Sequence, residues 1–518
     1  DTRIKSKIQT PQADVYLISG INQDYNSLCD YLHLLRNNFP KAKVILGGPI
    51  TSSYQMAGKI KELYLFDHLF LGDGEIAITQ LVEDLIANKN LPKMIENKNK
   101  FPLINARAMD EKLIQETHTS YYGGVVEVSR GCPFLCEFCD IRTKPDNNSA
   151  NNKKASVIIE ELEIFAKLGI KNILFACDNF IGSPTWAEAL CDEIIEWKKV
   201  RSTQVNLYTW LTINIVYHPR LLKKMKLAGF DMFFIGVESF GVEQLLETAK
   251  LQNVKTDIVE SIRTIQSYGF IVVAGLIFGF DSDPEDSIHV ALKGIRESGL
   301  ISGDPSLLTA LPGTPLYRRM ELSGRLRNGK LGLGGKKYVT NIKYLRDDKT
   351  MIKDFISFVH EFNQPAYQFE RYKSFIHCLA ENSVTTADSN YINVASLFKL
   401  VSQNPVSIFS VVKRFLGVVN SPSKIQHVGQ ALLLTLTHPY ARLSFFYFWL
   451  FNWSNSILKY GNLNSSEFDI DSLHRPVILT DIIPETYETD YFEPIPLAKI
   501  KAQRQATIKA LTATFEAR

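Results

Sequence analysis

The sequence predicts an α/β protein built on parallel sheets, and three stretches carry that prediction. Apolar runs alternate with helical periods from Ala13 to Ala87, six further strand-and-helix units run on from Val125, and residues 376–518 are mostly helical in character. A chain of 518 residues is too long for one core, so two or three domains are expected. The boundaries read as 1–105 for the first α/β domain, 106–124 for a linker, 125–330 for the second, and 331–518 for a C-terminal extension on the substrate side.

In the first domain, Ala13–Gly20 (ADVYLISG) and Lys43–Pro49 (KVILGGP) are apolar runs ending in glycine. Leucines at helical spacing over Tyr25–Asn37 lie between them, giving a strand–helix–strand unit. His68–Gly72 followed by Asp73-Gly74-Glu75 and the helical run Ile76–Ala87 is the next unit. Asn88–Lys100 is polar and lysine-rich and Phe101–His118 has no period, so both read as connection. The chain opens at Asp1 without methionine and without a basic-then-apolar leader, which suggests that a preceding stretch is missing and the first domain is incomplete. Beyond Val125, strands are expected at Val125–Ser129, Asn172–Cys177, Val205–Leu211, Met232–Val237, Ile271–Phe278 and Ser306–Leu311. Helical runs such as Val157–Leu168, Trp186–Val200 and Pro219–Ala228 separate them.

The chemistry centres on Ser129–Asp140, SRGCPFLCEFCD, where Cys132, Cys136 and Cys139 follow the first of these strands. C-x3-C-x2-C brings three thiolates to one loop, enough for three corners of an iron–sulfur cube or three positions of a zinc tetrahedron. No fourth ligand follows nearby, and an open position is where substrate binds, so the pattern suggests a reactive centre. A zinc knuckle is the bland alternative, although zinc loops more often use C-x2-C pairs.

With Phe138 just before the third cysteine, the motif resembles the signature of the radical SAM superfamily. The resemblance implies a [4Fe-4S] cluster on Cys132, Cys136 and Cys139 whose fourth iron chelates S-adenosylmethionine, and reductive cleavage to a 5′-deoxyadenosyl radical that abstracts hydrogen from an unactivated C–H bond. The six units after Val125 resemble the partial (β/α)6 barrel of that family, whose working residues lie at strand C-terminal ends. There the resemblance assigns Asp178 and Asn179 to the amino end of S-adenosylmethionine, Glu238 and Ser239 to the ribose, and Gly275 and Gly279 of GLIFGF to the adenine. Here Asp178-Asn179 replaces the commoner Gly-Gly-Glu, and a helix-cap role for Asp178 stands beside that reading. Pro312 and Gly313, in ALPGTPLY, match a stretch of the cobalamin-domain branch, as does Gln364–Phe375.

Gly47-Gly48-Pro49 and Gly72-Asp73-Gly74-Glu75 resemble the second half of a Rossmann-like cobalamin-binding domain. They assign Gly47, Gly48, Gly72, Gly74 and Glu75 to cobalamin. The D-x-H-x-x-G segment that supplies a lower cobalt ligand is absent, and Asp67-His68 has the wrong spacing for it, which leaves three readings: the segment precedes Asp1, cobalamin binds without a protein histidine, or the domain binds no cobalamin.

The implied activity is cobalamin-dependent C-methylation or a related rearrangement. One alternative is radical epimerisation of a ribosomal peptide with Cys378 returning the hydrogen; another is a non-catalytic Fe–S or zinc redox sensor. Expected partners are a small-molecule or peptide substrate and an external one-electron donor of flavodoxin or ferredoxin type. A net charge of +3 gives no electrostatic case for nucleic acid. Seven cysteines without framework spacing suit a reducing cytoplasm. Gly329–Lys337 reads as a mobile basic loop whose Lys336-Lys337 could meet an anion. Leu443–Trp453 (LSFFYFWLFNW) is too short to span a bilayer and reads as a buried helix, with peripheral membrane contact as its alternative.

Overall fold

The computed structural model describes residues 12–118, 123–144, 146–326, 340–380 and 416–461, with 463, 506 and 509. Gly329–Lys337 lies outside the described residues. The first unit is a four-stranded parallel sheet in the order β1-β2-β3-β4, formed by Val15–Ser19, Lys43–Gly47, His68–Leu71 and Met94–Glu96. Helices α1 (Tyr25–Asn38) and α2 (Pro49–Met56) bury Leu28, Leu32, Leu35, Ile50 and Tyr54 with Val44 and Leu46 on one face. Helix α3 (Ile78–Ile86) packs Leu81 and Leu85 with Ile45 and Phe70 in a separate core. The alternation of Val44 and Leu46 with Ile45 therefore feeds two layers, as expected of a doubly wound sheet.

Asn88–Lys100 is not all connection. Met94–Glu96 completes the sheet as β4, and α4 (Glu111–Thr117) follows on the Asp110 cap. Met94-Ile95-Glu96, set between Lys93 and Asn97, is too short an apolar pair to stand out from a lysine-rich run.

The second unit is a six-stranded parallel sheet in the order β10-β9-β8-β7-β6-β5. In chain order its elements are β5 (Gly124–Glu127), α5 (Ala155–Lys167), β6 (Asn172–Ala176), α6 (Pro184–Arg201), β7 (Asn206–Leu211), α7 (Pro219–Ala228) and β8 (Phe230–Glu238). They continue with α8 (Ile258–Ser267), β9 (Ile271–Phe278), α9 (Ser287–Ser298) and β10 (Ser302–Leu307). Its core runs through Phe175, Phe230, Phe233, Ile235, Val272 and Ala274, all completely buried. The last strand lies four residues before the expected Ser306–Leu311. Pro305 and the polar SGDPSL composition disguise it, and the sheet admits that proline because β10 is an edge strand.

Among the described residues four C-terminal helices follow α10 (Pro315–Leu322): α11 (Asp348–Phe362), α12 (Pro365–Cys378), α13 (Pro422–Thr437) and α14 (Leu443–Tyr460). They divide: α11 packs Phe355 and Phe358 on Phe278 at the C-terminal end of β9, while α12, α13 and α14 lie at the strand beginnings. Tyr372, Phe375, Trp449 and Trp453 share a core with Ile271 and Ile301, where β9 and β10 begin. Asn452 and Tyr460 of α14 hydrogen-bond to Ser302 and Pro305, so this helix covers the exposed β10 edge. Leu443–Trp453 is accordingly a core helix segment, with Phe445, Phe446, Trp449 and Leu450 buried.

The two sheets are joined by a polar seam. Asn22 Nδ2 donates to Ser53 Oγ at 3.2 Å and to Asp140 Oδ2 at 3.1 Å, and Ser53 Oγ lies 2.9 Å from Thr143 Oγ1. Gly313 completes the joint at φ +80°, where a Cβ would stand 2.7 Å from the Ser53 carbonyl. Gly313→Ala is expected to cost about 1–3 kcal/mol from left-handed strain plus this contact, read as a fall of several degrees in the thermal midpoint.

Candidate active site

The cysteine loop is fixed at both ends before any cofactor is considered. Ser129–Arg130 pairs antiparallel with Asn151–Asn152, and the Cys132 N–H donates to the Asn147 carbonyl at 3.0 Å. Asp178, just past β6, accepts from the Gly131 N–H at 2.6 Å and from Asn147 Nδ2 at 3.2 Å. It therefore holds the loop entry, and Asn179 instead caps the turn Phe180–Gly182. The Asn179 amide also points at Cys132 Sγ, 3.9 Å away.

Between Cys136 and Cys139 the loop is clamped by charge. The Glu137 carboxylate takes a two-pronged contact from Arg319 of α10 at 2.7 and 2.8 Å, while its N–H donates to Thr248 and its carbonyl accepts from Leu316. Arg319 also reaches Asp281 at 2.8 Å, and Arg325 holds both oxygens of Asp281. Burial works against the Arg319 charge, but Glu137, Glu247 and Asp281 outweigh it and raise its pKa. A planar guanidinium can serve these carboxylates together, which lysine cannot.

The sulfur environment is built from residues after β8. Gln252 Nε2 lies 3.5 Å from Cys136 Sγ, and buried Lys250 donates to Glu238 Oε1 at 2.6 Å while sitting 5.7 Å from the Phe138 ring centre. Burial pushes the Cys139 thiol up to about 12, with Asp140 and Cys136 adding to the rise and Lys250 opposing it. Among the described residues no group of three or more His, Cys, Asp or Glu converges as metal ligands. The fit to a cluster rests instead on the donor set: three thiols on one loop, two amide N–H donors directed at sulfur and a buried ammonium nearby.

Glu238 itself is strained. It adopts φ +64° at a register shift between β8 and β9, the kind of outlier that marks a working site. Lys250 occupies Oε1, and the Cβ position of Gly275 lies 3.6 Å from Oε2. Ser239 turns its hydroxyl inward to accept from the Gly241 N–H.

Beside the loop lies a cavity of about 660 Å³ between the C-terminal ends of the two sheets. Leu17, Ile18, Ile45 and Phe70 line its first-domain side together with Gly47, Gly48, Gly72 and Gly74. Its other side is charged: Arg130 pairs with Glu127 and Glu75 at 2.7 and 2.5 Å, and Lys144 pairs with Asp73. Asp178 and Asp140 complete this wall. Gly72 turns at φ +95° where a Cβ would strike the Asn97 carbonyl, so only glycine lets the chain leave β3 here. Among the described residues no histidine lines the cavity, and His68 lies at the opposite end of β3, bonded to the Pro92 carbonyl.

Four expected site residues make other contacts. Gly279 donates to Asp283 and packs against Tyr344. Pro312-Gly313 serves the joint with α2. Cys378 is buried on α12, donating to Ser374 and facing Glu260, Arg263 and Gln266 of α8 on the outside of the barrel. A hydrogen donor must reach the substrate carbon, and this thiol sits with the residues that cover the strand N-terminal ends. Lys250, Gln252, Glu137 and Arg319 were not singled out from sequence; within a single chain, TAKLQNV and CEFC carry no spacing that announces them.

Residues 126–294 match the radical SAM superfamily, and residues 314–430 match a domain of unknown function, DUF4070. Residues 126–294 are thus a radical SAM domain. A [4Fe-4S] cluster and S-adenosylmethionine are that superfamily's cofactors. A hopanoid C-2 methylase of Rhodopseudomonas palustris (strain TIE-1) is 33% identical over 324 residues, covering 61% of this chain and 58% of that protein. An uncharacterized methyltransferase of Synechocystis sp. is 26% identical over 375 residues, covering 70% and 67%. The chain thus spans about three-fifths to two-thirds of these relatives. Among solved structures, the radical enzyme OxsB with aqua-cobalamin and S-adenosylmethionine bound superposes with a TM-score of 0.54 at 16% identity, over 99% of this chain and 77% of that one. The methyltransferase TsrM from Kitasatospora setae, with cobalamin and a [4Fe-4S] cluster, gives a TM-score of 0.54 at 13% identity, over 73% and 90%. At these identities the likeness is one of fold, and it extends through both parallel sheets of the radical SAM chain.

Arg319→Met leaves Glu137 and Asp281 short of a partner in a buried network, a loss of about 3–5 kcal/mol. Reconstituted protein is expected to retain less than half the wild-type iron, measured by iron assay and cluster absorbance after gel filtration; retention at the wild-type level would dismiss the clamp. Asp283 gives a pH test. Burial, with Glu247 adding, raises its carboxyl to about 7 despite the Gly279 and Phe280 N–H donors. A folded pKa above the unfolded one means that stability falls as pH rises between about 4 and 7. Asp283→Asn should therefore flatten the decline in urea midpoint between pH 5 and 8.

Proposed function

We propose that this chain is a cobalamin-dependent radical SAM C-methylase acting at an unactivated carbon of a large apolar substrate. The observation that carries the reading is the cavity on which both sheets converge. Its glycine turns come from the first domain and its charged wall adjoins the cysteine loop. The hopanoid named for the 33% relative sets the first substrate to test.

In this reading Cys132, Cys136 and Cys139 hold the cluster, and Gly47, Gly48, Gly72, Gly74 and Glu75 border the corrin. With the cofactors bound, the cluster and S-adenosylmethionine supply one-electron C–H activation and cobalamin supplies a methyl group. The protein's share is placement. Asp178 fixes Gly131 at the start of the loop, and the Glu137–Arg319 contact fixes its middle. Lys250 holds Glu238 in its strained conformation, leaving Oε2 as the acceptor for a ribose hydroxyl. Leu17, Ile18 and Phe70 give the far wall an apolar lining. Epimerisation draws no support, since its hydrogen donor, Cys378, packs on the outer helix layer.

The test is anaerobic turnover with reductant, S-adenosylmethionine, hydroxocobalamin and a hopanoid acceptor, read by mass spectrometry. Wild type should yield 5′-deoxyadenosine, cobalamin-dependent S-adenosylhomocysteine and a product heavier by one CH₂, and Cys136→Ala should yield none. Deoxyadenosine without S-adenosylhomocysteine at saturating cobalamin would sink methyl transfer and leave the radical assignment intact.

A further inference from the structure

The C-terminal helices carry a feature that the site does not use. Helix α13 shows solvent a continuous apolar stripe: Ile425, Leu432, Leu433 and Leu436, at i, i+7, i+8 and i+11, are 56, 37, 64 and 64% exposed, with Gly429 on the same line. Its opposite side is anchored, through Ala431 and through Thr435 bonded to Tyr372 of α12. Leu416 before the helix is exposed as well, and α14 adds exposed Leu443, Phe451 and Leu458 at the spacing of one helical face. Isolated exposed leucines need no explanation, but a helix whose outward face is leucine does.

Charge points to the occupant. Residues 389–466 contain no aspartate or glutamate and six lysines or arginines, where an even spread of the chain's 55 acidic residues over 518 positions would put about eight. Arg442 and Lys459 already meet Asp231 and Asp304 of the barrel, so the charge argument rests on the missing carboxylates and on Lys424 at the start of the stripe. Acid-free, leucine-faced helices suit an anionic lipid surface, where carboxylates would be repelled and leucine side chains enter the headgroup boundary. No helix among the described residues is long and apolar enough to cross a membrane, so contact would be in the plane of the interface.

We propose that α13, with the flank of α14, docks this protein on an anionic bilayer. The surface is remote from the cysteine loop, on the layer that covers the barrel's β10 edge and strand beginnings. Docking needs neither cluster nor cobalamin, so its failure and that of the methylase reading are separable.

The test is co-sedimentation of the 518-residue chain with vesicles of phosphatidylglycerol and phosphatidylcholine, beside vesicles of phosphatidylcholine alone. Wild type should partition to the anionic vesicles, several-fold less at high salt, and Leu433→Glu/Leu436→Glu should lose at least tenfold while keeping wild-type circular dichroism and thermal midpoint. Leu433→Ser/Leu436→Ser provides a milder pair should the charged one unfold. Three results would overturn the proposal: no partition of folded wild type, equal partition of the variants, or a wild-type dimer in light scattering that the same substitutions dissociate, which would give the face to a second copy.

Discussion

The structure depends on how one loop of eight residues is held. Cys132 to Cys139 span the gap between two parallel sheets, and three contacts of different kinds fix that span. Asp178 takes the Gly131 N–H, Arg319 grips Glu137 from α10, and Asp140 and Thr143 just beyond meet Asn22 and Ser53 of the first domain. Each comes from a different element, so the loop is set only once both sheets have folded against each other. Cofactor assembly and domain docking are coupled by that arrangement.

Electrostatics around the loop follow one pattern. Carboxylates are held by cations that the fold buries: Glu238 by Lys250, Glu137 and Asp281 by Arg319 and Arg325, Asp73 by Lys144. Such pairs add little net stability, because desolvation consumes most of the Coulomb gain, but breaking one leaves a buried charge exposed to its full penalty. Their value is geometric. They hold side chains and loops in one arrangement, including the left-handed Glu238 at the end of β8.

Much of this was legible in the sequence, for identifiable reasons. Strands such as Ile271–Phe278 are buried on both faces and read as continuous apolar runs, and the cysteine spacing is local, so both survive without an alignment. Leu443–Trp453 packs inward, as its apolar run predicts. What failed was local pattern under tertiary override: β4 is three residues in a polar run, and β10 contains a proline that only its edge position allows. The clamp could not be read at all, because Glu137 and Arg319 are 182 residues apart and only the fold brings them together. Cys378 drew notice as a lone thiol near the end of the barrel sequence, yet chain proximity placed it on the outer layer.

The central claim is that the cysteine loop and the glycine turns of the first domain face one cavity. Its most direct measurement is electron paramagnetic resonance of protein carrying both a reduced [4Fe-4S] cluster and cob(II)alamin. Two cofactors held on opposite walls of a cavity of about 660 Å³ should show spin coupling, seen as broadened or split signals and faster cobalt relaxation than in cluster-free protein. Two superimposed, uncoupled spectra with both cofactors fully bound would contradict the account.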